Sequence, residues 1–407
     1  MGEMLFLTHR VPWPPNRGDK IRSHHILRKL MEYAPVHLVC FADDATEATE
    51  DSDIKTSLAS LQIARRSKSN LRAGVESLAS GKPVSLTSFQ STEIQNYVRD
   101  ILKARPIDCI FVFSGQMAQF VPAEYTGRLI MDFADVDSAK FESYGDEGSG
   151  PMAWINRREG KLLRAFEKQI GAVADHSLFV SEAEAQLFRQ RSGLDDQKVK
   201  ALGNGIDLDF YDPAKVTAME RADKGPLIIF TGQMDYRPNI EAVVSFTAEV
   251  MPKILKRHSD TQFAIIGRAP TADVLRLNGQ NGTIVTGSVD DIRCWLKAAD
   301  IVVAPLRIAR GIQNKVLEAM AMGKPVVASA AAAQGIDAVD GEHFCVADHP
   351  RHEAELVCDL LSDPKRAKAL GATASALIRS TYSWETRLAD IASLCGINEP
   401  ELVEAAE

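Results

Sequence analysis

Short apolar runs alternate with stretches of helical periodicity from one end of the chain to the other. In the first half, Met4–Thr8, Val36–Phe41, Cys109–Phe113, Leu129–Phe133 and His176–Val180 read as strands. They are rich in β-branched and aromatic residues and show little polar alternation, as strands buried on both faces of a parallel sheet do. Between them, Ile21–Tyr33, Thr92–Ala104 and Ile155–Ala174 carry helical spacing. The pattern then restarts. Leu227–Thr231, Gln262–Ile266, Thr283–Thr286, Ile301–Ala304, Val326–Ala328 and Phe344–Val346 read as strands. Ile240–Arg257, Ile292–Ala298, Gln313–Met322 and Arg351–Leu361 read as helices. Two successive sets of this kind predict an α/β protein of two doubly wound domains.

The turn-rich segment LGNGIDLDFYDPAK and the polar RADKG after it mark the expected boundary. The division expected is residues 1–204 for one domain and 205–383 for the other. A final helix over about 384–400 is expected to pack back on the first. The chain has 407 residues, 45% of them hydrophobic and 25% charged, enough for two full cores. Its net charge of −8 argues against nucleic acid as the main partner. The six cysteines are scattered without ligand-like spacing, so they are expected to be reduced thiols of a cytoplasmic protein, and no metal site is expected. The opening MGEMLFLTHRVPWPP holds an apolar run too short for a secretion signal, and no segment reaches membrane-spanning length. One basic stretch, ARRSKSNLR with Arg65, Arg66, Lys68 and Arg72, reads as a solvated loop and helix start, with contact to an anionic membrane as the sharper alternative.

The chemistry concentrates between Ile301 and Val327, IVVAPLRIARGIQNKVLEAMAMGKPVV. A β-branched strand ends at Pro305, and a loop with Arg307, Arg310 and Gly311 follows. A helix then runs from about Gln313 to Met322, and Gly323 after it is a usual C-terminal stop. This puts a helix N-terminus at the carboxyl end of a parallel strand, where backbone amides and the helix dipole attract phosphate. Gly311 lets the backbone approach a ligand. Lys315 adds charge for a diphosphate. Glu318, three residues on, shares its face and is placed to accept both hydroxyls of a ribose. A solvated helix position is the plain alternative for each, although Glu318 sits within the apolar run VLEAMAM.

KVLEAMAMGKPVV resembles the donor-site helix of retaining glycosyltransferases of family 4, which have the GT-B fold. LGNGID, TGQMDYRPN, IIGR, PPNRG and YSWE resemble further segments of that family, so the likeness covers essentially the whole chain. THRVPWPPNRGDKIRSHHIL and DFADVDSAKFESY are similar to sugar transferases associated with bacterial exopolysaccharide and exosortase (PEP-CTERM) gene clusters. The resemblance implies two Rossmann-like domains facing a central cleft, an N-terminal acceptor domain and a C-terminal donor domain. It implies retaining, metal-independent transfer from a nucleotide-diphosphate sugar, with no separate cofactor. The acceptor implied is a saccharide or lipid-linked saccharide, with peripheral contact at the inner face of the cell membrane.

The residues it points to on the donor side are Gly18, Gly232, Arg237, Arg310, Gly311, Ile312, Gln313, Lys315 and Glu318. Arg310 stands where the family has the first of two glutamates, and Gln233 follows Gly232 where an arginine is usual. Arg237 is therefore paired with Lys315 as the expected diphosphate-neutralising couple. On the acceptor side the family's histidine is absent from IMDFADVDS, leaving Asp135 or Asp137 as the candidate base and His9 as a second candidate. Helix capping is the plain alternative for the aspartates. Two other readings compete: a nucleotide-sugar 2-epimerase on the same fold, and an inactive nucleotide-sugar-binding relative.

Overall fold

The computed structural model describes residues 2–15, 17–43, 53–66, 68–221, 225–309 and 311–397. The chain divides into two compact units: one takes in the chain up to Asn204 and again from Leu388, the other runs from Gly205 to Arg387.

The first unit is built on a seven-stranded parallel sheet ordered β3-β2-β1-β4-β5-β6-β7. The strands are β1 (Glu3–Thr8), β2 (Val36–Ala42), β3 (Ser60–Arg65), β4 (Ile107–Phe113), β5 (Arg128–Ala134), β6 (His176–Phe179) and β7 (Val199–Ala201). Every residue of β2 is buried, as a strand covered on both faces requires. Its main helices are α1 (Gly18–Met31), α2 (Asn70–Ser80), α3 (Thr92–Ala104), α4 (Asp137–Glu147), α5 (Gly150–Val173) and α6 (Glu182–Ser192).

Two strands, β3 and β7, escape the apolar pattern. Both are edge strands, and SLQIAR and VKA carry the polar side chains that an edge tolerates. Helix α5 starts earlier than its periodicity indicates, because Pro151 pre-sets the first turn. The sheet changes winding between β1 and β4, so the carboxyl ends of those two strands flank the switch point.

The second unit holds a six-stranded parallel sheet ordered β10-β9-β8-β11-β12-β13. The strands are β8 (Leu227–Thr231), β9 (Gln262–Ile266), β10 (Thr283–Gly287), β11 (Ile301–Ala304), β12 (Val326–Ser329) and β13 (Cys345–Ala347). The helices used below are α7 (Arg237–Ser245), α8 (Ile292–Ala298), α9 (Asn314–Ala321), α10 (Pro350–Ser362) and α11 (Pro364–Thr381). Here the switch point lies between β8 and β11.

The single helix expected over Ile240–Arg257 is interrupted. After α7 the backbone widens into a π stretch at Phe246–Val250 and resumes at Met251–Leu255, where Pro252 cannot continue the regular ladder. The closing segment differs from expectation too. The expected helix over about 384–400 is, in its described part up to residue 397, two single turns, Trp384–Arg387 and Ile391–Leu394, and only the second groups with the first unit. YSWE stays with the second unit: the Ile206 amide donates to the Tyr382 carbonyl at 2.6 Å, and a Cβ on Gly205 would meet Trp384 at 2.6 Å. The six cysteines are free thiols.

Candidate functional site

In the second unit the carboxyl ends of β8 and β9 are locked to each other. The Gly232 amide donates to the Ile266 carbonyl, and the Met234 amide to the Arg268 carbonyl. A Cβ on Gly267 would stand 1.6 Å from the Gly232 carbonyl oxygen, so only glycine permits this approach. Across the switch point, β11 is followed in the chain by α9, with Gly311 shortly before the helix. Gly311 has a φ of +63°, the left-handed region that favours glycine. Gln313, the residue before α9, makes no side-chain cap and turns its amide to the Gly311 carbonyl instead. The first-turn amides of α9 are thus left without a side-chain acceptor, the arrangement that suits an anion.

Lys315 projects from that first turn back toward β8. Its ammonium donates to Asn239 Oδ1 at 2.7 Å and lies 4.1 Å from the centre of the Phe230 ring. Asn239 is buried and anchors its own amide on the Gln233 carbonyl at 2.9 Å. A Cβ on Gly232 would come within 3.0 Å of the Lys315 ammonium and 2.8 Å of the Asn239 amide. Burial drives the Lys315 pKa down to about 7, and the Glu318 charge only partly offsets it.

Glu318, one turn further, shares a hydrogen bond with the Tyr211 hydroxyl. Burial raises its carboxyl above the ordinary range, with Tyr211 and Lys315 opposing. Tyr211 is raised in turn by burial and by the Glu318 charge. Tyr211 belongs to the segment after Gly205, which is pinned beside α8 by Arg293 donating to the Phe210 carbonyl and stacking 3.9 Å from the Phe210 ring centre. Helix start, half-buried lysine and half-buried glutamate therefore converge at the switch point. Asn239 and Tyr211 complete them, and nothing in the apolar periodicity marks either one.

Arg237 does not join this group. It opens α7 with its side chain 88% exposed and pairs with Glu241 one turn on. A different cation stands by the glycine turn: Arg268, just past β9, donates to Gln233 Oε1 at 2.9 Å. Arg307 is drawn aside to Ser245 and Glu249 at the π stretch. Ile312 packs against the unit's core. Arg310 lies outside the described residues.

The first unit has its own polar cluster at the switch point. His9, just beyond β1, is buried and stacks on Phe113 with ring centres 5.7 Å apart. Its Nε2 faces Asp19 at 3.2 Å, while its buried Nδ1 has no partner. Burial lowers the His9 pKa, with the bond to Asp19 opposing. Asp19 also holds Arg10 and Arg17, and Arg10 reaches Asp43. Gly18 starts α1 with open space around it.

Asp135 and Asp137 follow β5, two strand positions from His9, roughly 10 Å along the sheet. Asp135 is exposed and follows Ala134, whose φ of +65° is unusual for a residue with a Cβ. Asp137 is partly buried, which raises its carboxyl pKa. Neither caps α4. Glu167 accepts from the Ser138 amide and hydroxyl, and Glu184 from the Val136 amide. Asp132 is sequestered from any ligand: it is fully buried and bound by Arg22 Nε at 2.8 Å, and Arg22 also donates to Asn204.

Residues 225–363 match the family model of glycosyl transferases group 1. Among curated relatives, the chain is 27% identical over 253 residues to a GDP-mannose-dependent alpha-(1-6)-phosphatidylinositol monomannoside mannosyltransferase of Mycolicibacterium smegmatis. That match covers 57% of this chain and 65% of the relative, so it spans a little under two thirds of the relative's length. Sucrose-phosphate synthase from Thermosynechococcus elongatus superposes with a TM-score of 0.66 at 16% identity, covering 96% of this chain and 98% of its own. HepE from Anabaena, solved in complex with UDP and glucose, superposes with a TM-score of 0.63 at 14% identity, covering 97% and 100%. At these identities the likeness shows the fold, which is the GT-B pairing of two Rossmann-like units.

Proposed function

We propose that the chain is a glycosyltransferase that takes a sugar from a nucleotide-diphosphate donor held by the second unit. The observation that carries this reading is the pairing of Lys315 and Glu318 on consecutive turns of α9, at the switch point of a parallel sheet. The under-compensated ammonium of Lys315 and the uncapped start of α9 suit the diphosphate. Glu318 suits the ribose hydroxyls, which can take the place of the Tyr211 hydroxyl. Developing negative charge on the leaving diphosphate would be stabilised by these groups, with Arg268 as a further cation.

The acceptor is a saccharide or lipid-linked saccharide, and the setting is exopolysaccharide assembly at the inner face of the membrane. The name of the curated relative, a phosphatidylinositol monomannoside mannosyltransferase, supports a lipid-linked acceptor, and the exopolysaccharide-type segments alone support the setting. Transfer proceeds with retention, as the family-4 resemblance implies. Asp135, Asp137 and His9 belong to the unit assigned to the acceptor.

The test is a thermal-shift screen of nucleotides and nucleotide sugars on the full chain and on Glu318→Ala, followed by transfer assays with soluble and lipid-linked acceptors. A donor-induced stabilisation that Glu318→Ala abolishes is expected. A full shift in that variant would remove Glu318 from the ribose, and epimerised free donor without acceptor would replace the transferase reading.

A further inference from the structure

Glu353 is an acid without a partner. It stands in the first turn of α10 with 6% of its surface exposed, and its Oε1 is buried without a hydrogen bond. Buried polar groups are nearly always paired, so an orphan of this kind asks for a reason. The start of its own helix does not supply a partner. The His349 ring caps α10 by accepting from the His352 amide, and the Glu353 amide is spent on the His349 carbonyl.

The orphan lines a cavity of about 420 Å³ in the second unit. The other lining residues follow β11, β12 and β13 directly, so the cavity lies at the carboxyl ends of those strands, where parallel sheets hold ligands. None of Lys315, Glu318, Asn239 and Tyr211 lines it. It is therefore a second concave site, distinct from the one assigned to the nucleotide sugar.

Charge indicates what would fill it. Arg307 lines the cavity, but its guanidinium is held by Ser245 and Glu249, so its charge is already matched. Asp348 adds a second acid at the rim, 3.4 Å from His352. The titratable groups on the elements packed around Glu353 are Glu249 on the π stretch, Lys253 after it, Arg307 past β11, and Cys345, Asp348, His349 and His352 from β13 into α10. Lys253 is turned to the Glu249 carbonyl. None of them compensates the carboxyl, and burial alone raises its pKa to about 8. An anionic ligand would meet two acids here. A neutral hydroxyl would leave the buried carboxyl protonated. A cationic N–H donor supplies both the missing hydrogen bond and the missing charge.

We propose that this cavity binds the primary ammonium group of a small organic ligand, with Glu353 as its carboxylate partner. The site shares no residue with the nucleotide-sugar reading and does not rest on it. As the ammonium docks, Glu353 gives up its proton to solvent, so amine binding and deprotonation are coupled.

The test is calorimetry of the full chain with ethanolamine and spermidine, against glucose and inorganic phosphate, in two buffers of different ionisation enthalpy. At pH 7 an amine should bind and release about one proton, and its affinity should climb by up to about tenfold per pH unit from pH 5 toward 8. Glu353→Gln should melt cooperatively, yet lose the proton release and bind the amine at least about tenfold more weakly. Failure of both amines to bind, or amine binding that Glu353→Gln retains, overturns the proposal. So does amine binding without proton release, a measurement that needs no variant. Glucose bound as tightly as ethanolamine overturns it in favour of a hydroxyl site, and phosphate bound in place of the amines overturns it in favour of an anion site. A nucleotide-sugar thermal shift should persist in Glu353→Gln, and its absence from the unmodified chain would count against the transferase reading alone.

Discussion

Lys315 reaches across the switch point of the second sheet to donate to Asn239 at 2.7 Å, joining the start of α9 to the start of α7. Its partner is neutral, and burial has brought its pKa down to about 7. A bound diphosphate supplies the missing negative charge and returns the pKa toward its ordinary value. Near pH 8 the free protein therefore carries mostly neutral lysine, and binding takes up a proton. Calorimetry of nucleoside diphosphate binding in two buffers of different ionisation enthalpy should reveal that uptake. It should disappear in Lys315→Met, with affinity lowered on the order of ten- to a hundredfold.

Arg237 and Arg268 make opposite predictions. Arg268 hydrogen-bonds Gln233 beside the glycine turn, whereas Arg237 is 88% exposed and satisfied by Glu241. Arg268→Ala should weaken diphosphate binding roughly five- to tenfold, the worth of one charge-assisted contact. Arg237→Ala should stay within about twofold. Titration of both variants with the same nucleotide decides between them.

Tyr211 is predicted to hold Glu318 in place before the ribose arrives. Tyr211→Phe leaves the carboxylate with one partner fewer, at a stability cost of about 1–2 kcal/mol in the unliganded protein. Ribose hydroxyls replace the lost bond on binding, so the nucleotide-induced thermal shift should become larger in Tyr211→Phe than in the unmodified chain. Glu318→Ala should show little shift. A Tyr211→Phe shift equal to the original would mean that the hydroxyl stays on Glu318 in the complex.

Where the sequence was readable, burial explains why. Strands such as Leu227–Thr231 and Ile301–Ala304 are buried runs whose limits closely follow their apolar limits. Edge strands β3 and β7 lack that signature, and α6, with a polar sequence capped by Ser181, shows little of it. Lys315 and Glu318 stand out in the sequence because a polar residue inside an apolar helix has few other uses, and the structure brings both to the switch point. Asn239 and Tyr211 do not, because each is defined by a contact across the sheet or along the linker. Arg237 lay at the right spacing, but the helix that begins there turns its side chain to solvent.

Glu353 gives a prediction about stability rather than binding. It lies in the first turn of α10, 6% exposed, with Oε1 buried and unpartnered. Burial alone raises its pKa from the ordinary 4.5 to about 8. Between those values the folded protein holds a proton that the unfolded chain has released, so folding stability falls as pH rises through that window. The contribution is flat below the lower limit and fully lost above the upper one. The slope from this group is at most about 1.4 kcal/mol per pH unit. Glu167, raised by burial to about 7, adds a decline in the same sense, so the unmodified chain alone does not isolate Glu353. The comparison with Glu353→Gln does, because glutamine keeps the volume and cannot ionise. Denaturation curves near pH 5 and near pH 8 should show the variant similar to the parent at the lower pH and more stable by about 2 kcal/mol or more at the higher. Equal pH slopes in the two proteins would mean that the carboxyl of Glu353 is ionised and solvated in the folded state.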